Sequence, residues 1–206
     1  MEENNTKNNE RPSEQYPKLS ELKKPGKPPF IWSWKSAFFS FVWLGILLFG
    51  IDLLTKWIVV WNFPALDGTK SVTIIPGFFY IWPLTNTGSA YGAGGDIRWM
   101  RYVYIAISWA ASIAIPFFWY KGLKNKDNLI NVVFNLCFAG ALGNAIDRTF
   151  YWPNTVGFDG VVDFLSIRLG NWTPFGSFNV ADACLVVGVI MAVVVLLVRE
   201  IKGKKE

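Results

Sequence analysis

Four apolar stretches, each close to the about 20 residues that a helix needs to cross a hydrocarbon core, decide what this chain can fold into. They cover residues 37–61, 102–120, 129–146 and 179–198. The first is interrupted by Asp52 and Lys56, and the second carries no charge. The third holds Asn131, Asn135 and Asn144, and the fourth is charged only at Asp182. In lipid, backbone N–H and C=O groups must be bonded within the protein, so single apolar stretches of this length are helices. The expectation is an all-α integral membrane protein with four transmembrane helices. No internal repeat is visible.

Residues 1–29 are polar, rich in Lys and Pro, and nearly free of large apolar side chains. Such a segment buries too little surface to offset its ordering entropy. We expect residues 1–35 to form a disordered cytoplasmic tail, 36–201 a membrane domain, and 202–206 a short basic tail. The first apolar stretch is longer than the about 7–15 residues of a signal peptide, and no A-x-A cleavage site follows it. It is expected to remain as an anchor. Charged residues make up 17% of the chain, against about 25% in soluble domains. The net charge of +5 reflects basic residues flanking the apolar stretches, so no nucleic-acid partner is expected.

Basic residues set the orientation. With a cytoplasmic N-terminus, the inside holds seven Lys or Arg before residue 36, three at 121–126 and four at 199–205, of 20 in all. The outer side holds only Lys56, Lys70, Arg98, Arg101, Arg148 and Arg168. Both termini are therefore expected to face the cytoplasm. Two longer segments, 62–100 and 148–178, then lie outside. The first contains Ser71 to Ile75, a Pro76-Gly77 turn and Phe78 to Leu84. These β-branched and aromatic runs about a turn predict a small extracytoplasmic strand pair. The second is rich in Gly, Trp and Phe and suits the interfacial belt.

Polar groups converge on the outer layer. At about 1.5 Å of rise per residue, Asp52 stands roughly 22 Å up a core of about 30 Å. Lys56 is one turn higher. Asn144, Asp147 and Arg148 fall at the outer end of the third helix, and Asn179 and Asp182 at the outer start of the fourth. Asn86 and Asp163 lie in the outer segments. Ionisable groups within a membrane are costly and mark function by default, so one site near the outer leaflet is expected.

The sequence has no histidine. That excludes a Ser-His-Asp or Cys-His nucleophile and a His-ligated zinc on this chain alone. Cys137 and Cys184 sit in apolar runs without metal-ligand spacing, and no cofactor or metal is expected. Carboxylates remain. Two aspartates held close share one proton near neutral pH. One then activates water while the protonated partner bonds the carbonyl under attack. Such a pair could hydrolyse a peptide at the membrane surface.

Five motifs fall in one order. Asp52-Leu-Leu-Thr-Lys56 resembles the D-x-x-T-K signature of the lipoprotein signal peptidases (signal peptidase II). Asn86-Thr-Gly-Ser-Ala-Tyr-Gly92 resembles their N-x-G-A-A-F segment, with Ser89 for Ala and Tyr91 for Phe. Gly140 to Arg148 resembles G-A-L-G-N-x-x-D-R, Val161 to Phe164 resembles V-V-D-F, and Phe178 to Asp182 resembles F-N-x-A-D. Each motif alone is weak; five in the family's order, with the matching helix count, are specific. The resemblance implies Asp163 and Asp182 as the catalytic pair. It implies that Asn86, Gly88, Asn144, Arg148 and Asn179 shape the site and hold the substrate backbone, with Asp52, Lys56 and Asp147 in structural roles. It further implies a diacylglyceryl-modified prolipoprotein as substrate, cut just before its lipid-bearing cysteine. Contact with membrane lipids, inhibition by globomycin and a monomeric enzyme follow. The stretch 149–160 is longer than in many members.

Blander readings compete. Asp163 read alone could be an interfacial surface residue, and Asp182 a helix-dipole partner. Asp147 beside Arg148, and Asp52 with Lys56, read as structural ion pairs. Asp67, Asp96 and Asp159 read as loop residues, and Asn131 and Asn135 as interhelical hydrogen-bonding groups. Gly45, Gly50, Gly140, Gly143 and Gly188 read as packing positions. The competing function is a small proton-coupled transporter, but transporters place their sites at the midplane between repeats. A purely structural membrane subunit would not need converging polar groups.

Overall fold

The structure, a computed structural model, describes residues 38, 40–63, 65–89, 92–97, 99–122, 127–150, 160–170, 172 and 176–203. The expected tail at 1–35, the last residues 204–206 and most of the extension at 149–160 lie outside the described residues. Four helices and four strands follow in order: α1 (Val42–Asn62), β1 (Val72–Ile75), β2 (Phe79–Asn86), α2 (Met100–Gly122), α3 (Asn128–Thr149), β3 (Val161–Ile167), β4 (Ser177–Phe178) and α4 (Val180–Gly203).

All four helices are long and apolar enough to cross a membrane. Their exposure pattern inverts that of a soluble protein. Ile46, Leu54, Ile113 and Leu196 are each about 60% exposed or more, while Asp52, Lys56, Asn135 and Asp147 are buried. Lipid solvates the apolar exterior, and polar side chains meet one another inside. Helix α3 is the central one, and α1, α2 and α4 all pack on it. Asn135 works as an interhelical tie, donating to the Ser40 carbonyl at 3.0 Å, and Trp119 donates to Asn131 Oδ1 at 3.1 Å.

Helix α1 begins at Val42, five residues later than its apolar pattern predicts. Phe41 takes a left-handed conformation, φ 58°, which stops the helix there. At its start, α3 is capped by Asp127, which accepts from the amides of Leu129 and Ile130.

Small residues let α3 and α4 approach. A methyl added at Gly140 would meet the Ala181 carbonyl, and one at Gly143 would meet the Asp52 carboxylate with Ala181 Cβ 3.0 Å away. Gly45 and Gly188 are similarly crowded, by Asn135 and Cys137. Gly50 is not: open space surrounds it, so the predicted packing role fails there. Gly143→Ala should overpack the helix contact and cost about 1–3 kcal/mol, read as a lowered unfolding temperature in detergent. Gly50→Ala should be neutral or better in the same measurement.

The strands form one antiparallel sheet in the order β1-β2-β3-β4. Only the β1–β2 pair was anticipated. Strands β3 and β4 extend it because 161–167 is buried on both faces and shows no alternation to read. The β2–β3 register slips between Ile81 and Leu84, where Pro83 has no N–H to give the ladder. Beyond the slip, Leu84 lies opposite Asp163 and Asn86 opposite Val161. One face of β3, Val162 and Phe164, packs on Val59 and Val60 near the end of α1. The alternate face carries Asp163.

Candidate active site

Every site residue named from the sequence reaches one cluster at the sheet end of the bundle. Asp163 is 2% exposed. Its Oδ1 accepts from Asn179 Nδ2 at 2.8 Å, and its Oδ2 from Asn86 Nδ2 at 2.9 Å. Asp182 stands in the first turn of α4. Its Oδ1 accepts from Asn144 Nδ2 at 2.8 Å, and its Oδ2 from the Asn179 backbone N–H at 3.1 Å. The Asp182 amide in turn donates to Asn179 Oδ1 at 2.9 Å. Asn179 is thus the N-cap of α4 and Asp182 its N3 residue, a reciprocal capping box. The same asparagine binds both carboxyls, and its Nδ2 also lies 3.2 Å from Asn144 Oδ1.

Asn86 is fixed by its own turn. Its Oδ1 accepts from the Gly88 amide at 3.0 Å. Arg148 Nη2 donates to the Gly88 carbonyl at 3.0 Å and lies over the Tyr104 ring. A side chain at Gly88 would strike the backbone of Gly92 and Ala93, and one at Gly160 the backbone of Asn86. Both glycines therefore allow the loop and β3 to close on the asparagine.

The pair predicted between Asp147 and Arg148 is not what the fold makes. Adjacent residues on a helix do not face each other, and Arg148 turns to Gly88. Asp147 instead accepts from Lys56 at 2.9 Å. The predicted Lys56–Asp52 pair forms at 2.7 Å, so one ammonium joins two carboxylates. All three side chains are at most 1% exposed. Their remaining bonds matter for the site. Asp147 Oδ2 accepts from the Val162 amide at 3.1 Å, and Asp52 Oδ1 from the Ala181 amide at 2.8 Å. Val162 and Ala181 immediately precede Asp163 and Asp182. The buried triad therefore pins the backbone beside both carboxylates.

Burial raises the Asp163 carboxyl to about 8, and the negative charge of Asp182 adds to the rise. The bonds from Asn86 and Asn179 and the charge of Lys56 oppose it. A cavity of about 710 Å³ opens beside the pair. Asn144, Arg148, Asp163 and Asp182 stand at its polar end, and Ile107, Ala111, Leu185 and Val186 line its apolar length between α2 and α4. Sequence reasoning missed Tyr104, Ser177 and the two anchored amides. Tyr104 is one aromatic among many in an apolar helix, and backbone amides leave no residue-type signal.

The fold and the cluster together define a multi-pass membrane protein with two carboxyls, buried Asp163 and half-buried Asp182, bound to one asparagine at one end of its helices. The signal peptidase (SPase) II family profile matches residues 44–198. The lipoprotein signal peptidase of Bacillus subtilis (strain 168) is 34% identical over 163 residues, spanning 79% of this chain and 96% of that protein. That of Bacillus pumilus (strain SAFR-032) is 34% identical over 162 residues, spanning 79% and 93%. A bacterial membrane enzyme solved by the in meso method at 2.3 Å superposes with a TM-score of 0.61 at 28% identity, covering 79% of this chain and 87% of the other. A second, at 1.9 Å, gives 0.60 at 28%, covering 79% and 92%. The chain belongs to the signal peptidase II family and is therefore a peptidase. The transporter alternative has no support.

Proposed function

We propose that this chain removes the signal peptide from diacylglyceryl-modified prolipoproteins as an aspartic endopeptidase, cutting just before the lipid-bearing cysteine, with Asp163 and Asp182 as the catalytic pair. The observation that carries the reading is Asn179, which bonds at once both of the carboxyls that line a large, mostly apolar cavity. A lipidated signal helix can lie in that cavity and bring its scissile carbonyl to the pair. The basic-residue distribution supports cytoplasmic termini and a site at the outer leaflet. The enzyme works as a monomer in this reading, and globomycin-type inhibitors compete for the cavity.

Asp163, whose carboxyl burial pushes up, carries the proton, and Asp182 acts as the base. Asp182 takes a proton from water as its oxygen bonds the scissile carbonyl carbon, while Asp163 hydrogen-bonds the carbonyl oxygen. On collapse the C–N bond breaks, the Asp182 proton passes to the cysteine nitrogen, and Asp163 keeps its own. Asn144 and Asn179 fix the carboxyl orientations, so no reorganisation is needed as charge moves.

Purified protein should release the signal peptide from a lipidated prolipoprotein, and globomycin should stop it. Because the raised Asp163 proton is required, activity should persist through neutral pH and fall as pH rises through about 8. A pH profile of kcat/KM checks this. Loss centred near pH 4, the range of an ordinary carboxyl, would contradict the protonated role of Asp163.

A further inference from the structure

A second cavity, of about 320 Å³, opens on another flank of Asp163. Its described walls include Thr85, Asn86 and Thr87 at the end of β2, Asp163, and Gly176 with Ser177 entering β4. Every described wall residue comes from the sheet or its loops, and none from a transmembrane helix. The larger cavity is different, since α2, α3 and α4 all contribute to it. The two cavities share Asn86, Asp163 and Ser177, so Asp163 stands at their junction, while Asp182 lines the larger one.

A hydrolysed peptide bond has chain on both sides, and the two sides here differ in chemistry. The signal helix and the acyl chains are apolar and need the long cavity between helices. The chain after the cysteine must leave toward water, and the small cavity, walled by sheet and loop residues, offers it a course away from the helices. We propose that this cavity is the subsite for the residue following the lipid-bearing cysteine, and that it selects small side chains there. The proposal rests on the peptidase reading above.

Its size is set by identifiable residues. Leu84, the one large apolar side chain among the described walls, lies opposite Asp163 in the strand register. Gly176 has φ 63°, a conformation that disfavours any side chain at that wall. Ser177 is tied down by its Oγ, which donates to the Trp82 carbonyl at 3.2 Å. These walls are held by the sheet, so they should not yield readily to a bulky residue.

The test uses the full chain and lipidated prolipoprotein peptides that differ only in the residue after the cysteine. Glycine or serine there should be cut with kcat/KM at least about tenfold above tryptophan, mainly through KM. Leu84→Ala should narrow that ratio and Thr85→Leu should widen it. A ratio near one in the native chain overturns the proposal, as does a ratio that neither variant moves. So does a size effect that those variants shift at the residue before the scissile bond instead. Cleavage of every peptide without discrimination would defeat this subsite alone, whereas cleavage of none would defeat the peptidase reading with it.

Discussion

Asp163→Asn and Asp182→Asn are each expected to reduce signal-peptide release from a lipidated prolipoprotein by about 10³-fold or more, while the protein still inserts and folds. The size follows from the chemistry, since positioned acid–base groups contribute about 10²–10⁴-fold each and here one pair does both tasks. The direction of the structural effect follows from the bonds. An amide at 163 or 182 keeps the shape of the carboxyl and can still accept through its oxygen from Asn86, Asn179 or Asn144. It cannot hold the shared proton or take one from water. The double variant should be little worse than either single one, because residues acting as a unit are strongly non-additive. The measurement is turnover by purified variants alongside thermal unfolding in detergent. Substantial turnover by either single variant would remove the pair from the mechanism.

That prediction depends on a site only partly legible in the residues. Local spacings read well. Asp52 and Lys56, four apart on a helix, do pair, and Asn179 with Asp182, three apart, form the capping box. The expected convergence also appears, in that the polar residues of three helices and two loops gather at one end. The resemblance supplied the choice of Asp163 and Asp182, which spacing alone left open.

Long-range partners were not legible. Lys56 and Asp147 are 91 positions apart, and nothing at either residue names the other. Arg148, the obvious neighbour, drew the expectation away although helical geometry turns it elsewhere. Strand β3 was hidden for a different reason. Its seven residues run Val-Val-Asp-Phe-Leu-Ser-Ile, and both faces are covered, so the alternation that betrays a half-exposed strand is missing. Gly50 shows the converse error, a small residue in a membrane helix read as packing where the structure leaves open space.

Lys56→Met should be the most damaging substitution outside the pair itself. The ammonium lies 2.7 Å from Asp52 and 2.9 Å from Asp147 and is fully buried. Removing it leaves two carboxylates facing each other without a counter-charge, and breaking a buried pair in this way costs about 3–5 kcal/mol. The damage should extend to activity, because Asp147 and Asp52 hold the amides of Val162 and Ala181, next to Asp163 and Asp182. A triple variant separates charge from packing. Adding Asp52→Asn and Asp147→Asn to Lys56→Met removes the uncompensated charge while keeping acceptors for both amides. It should unfold at a higher temperature than Lys56→Met alone and recover part of its turnover. If the single variant is as stable and active as the native chain, or if the triple variant is worse than the single, the triad is not what holds the two carboxylates in place.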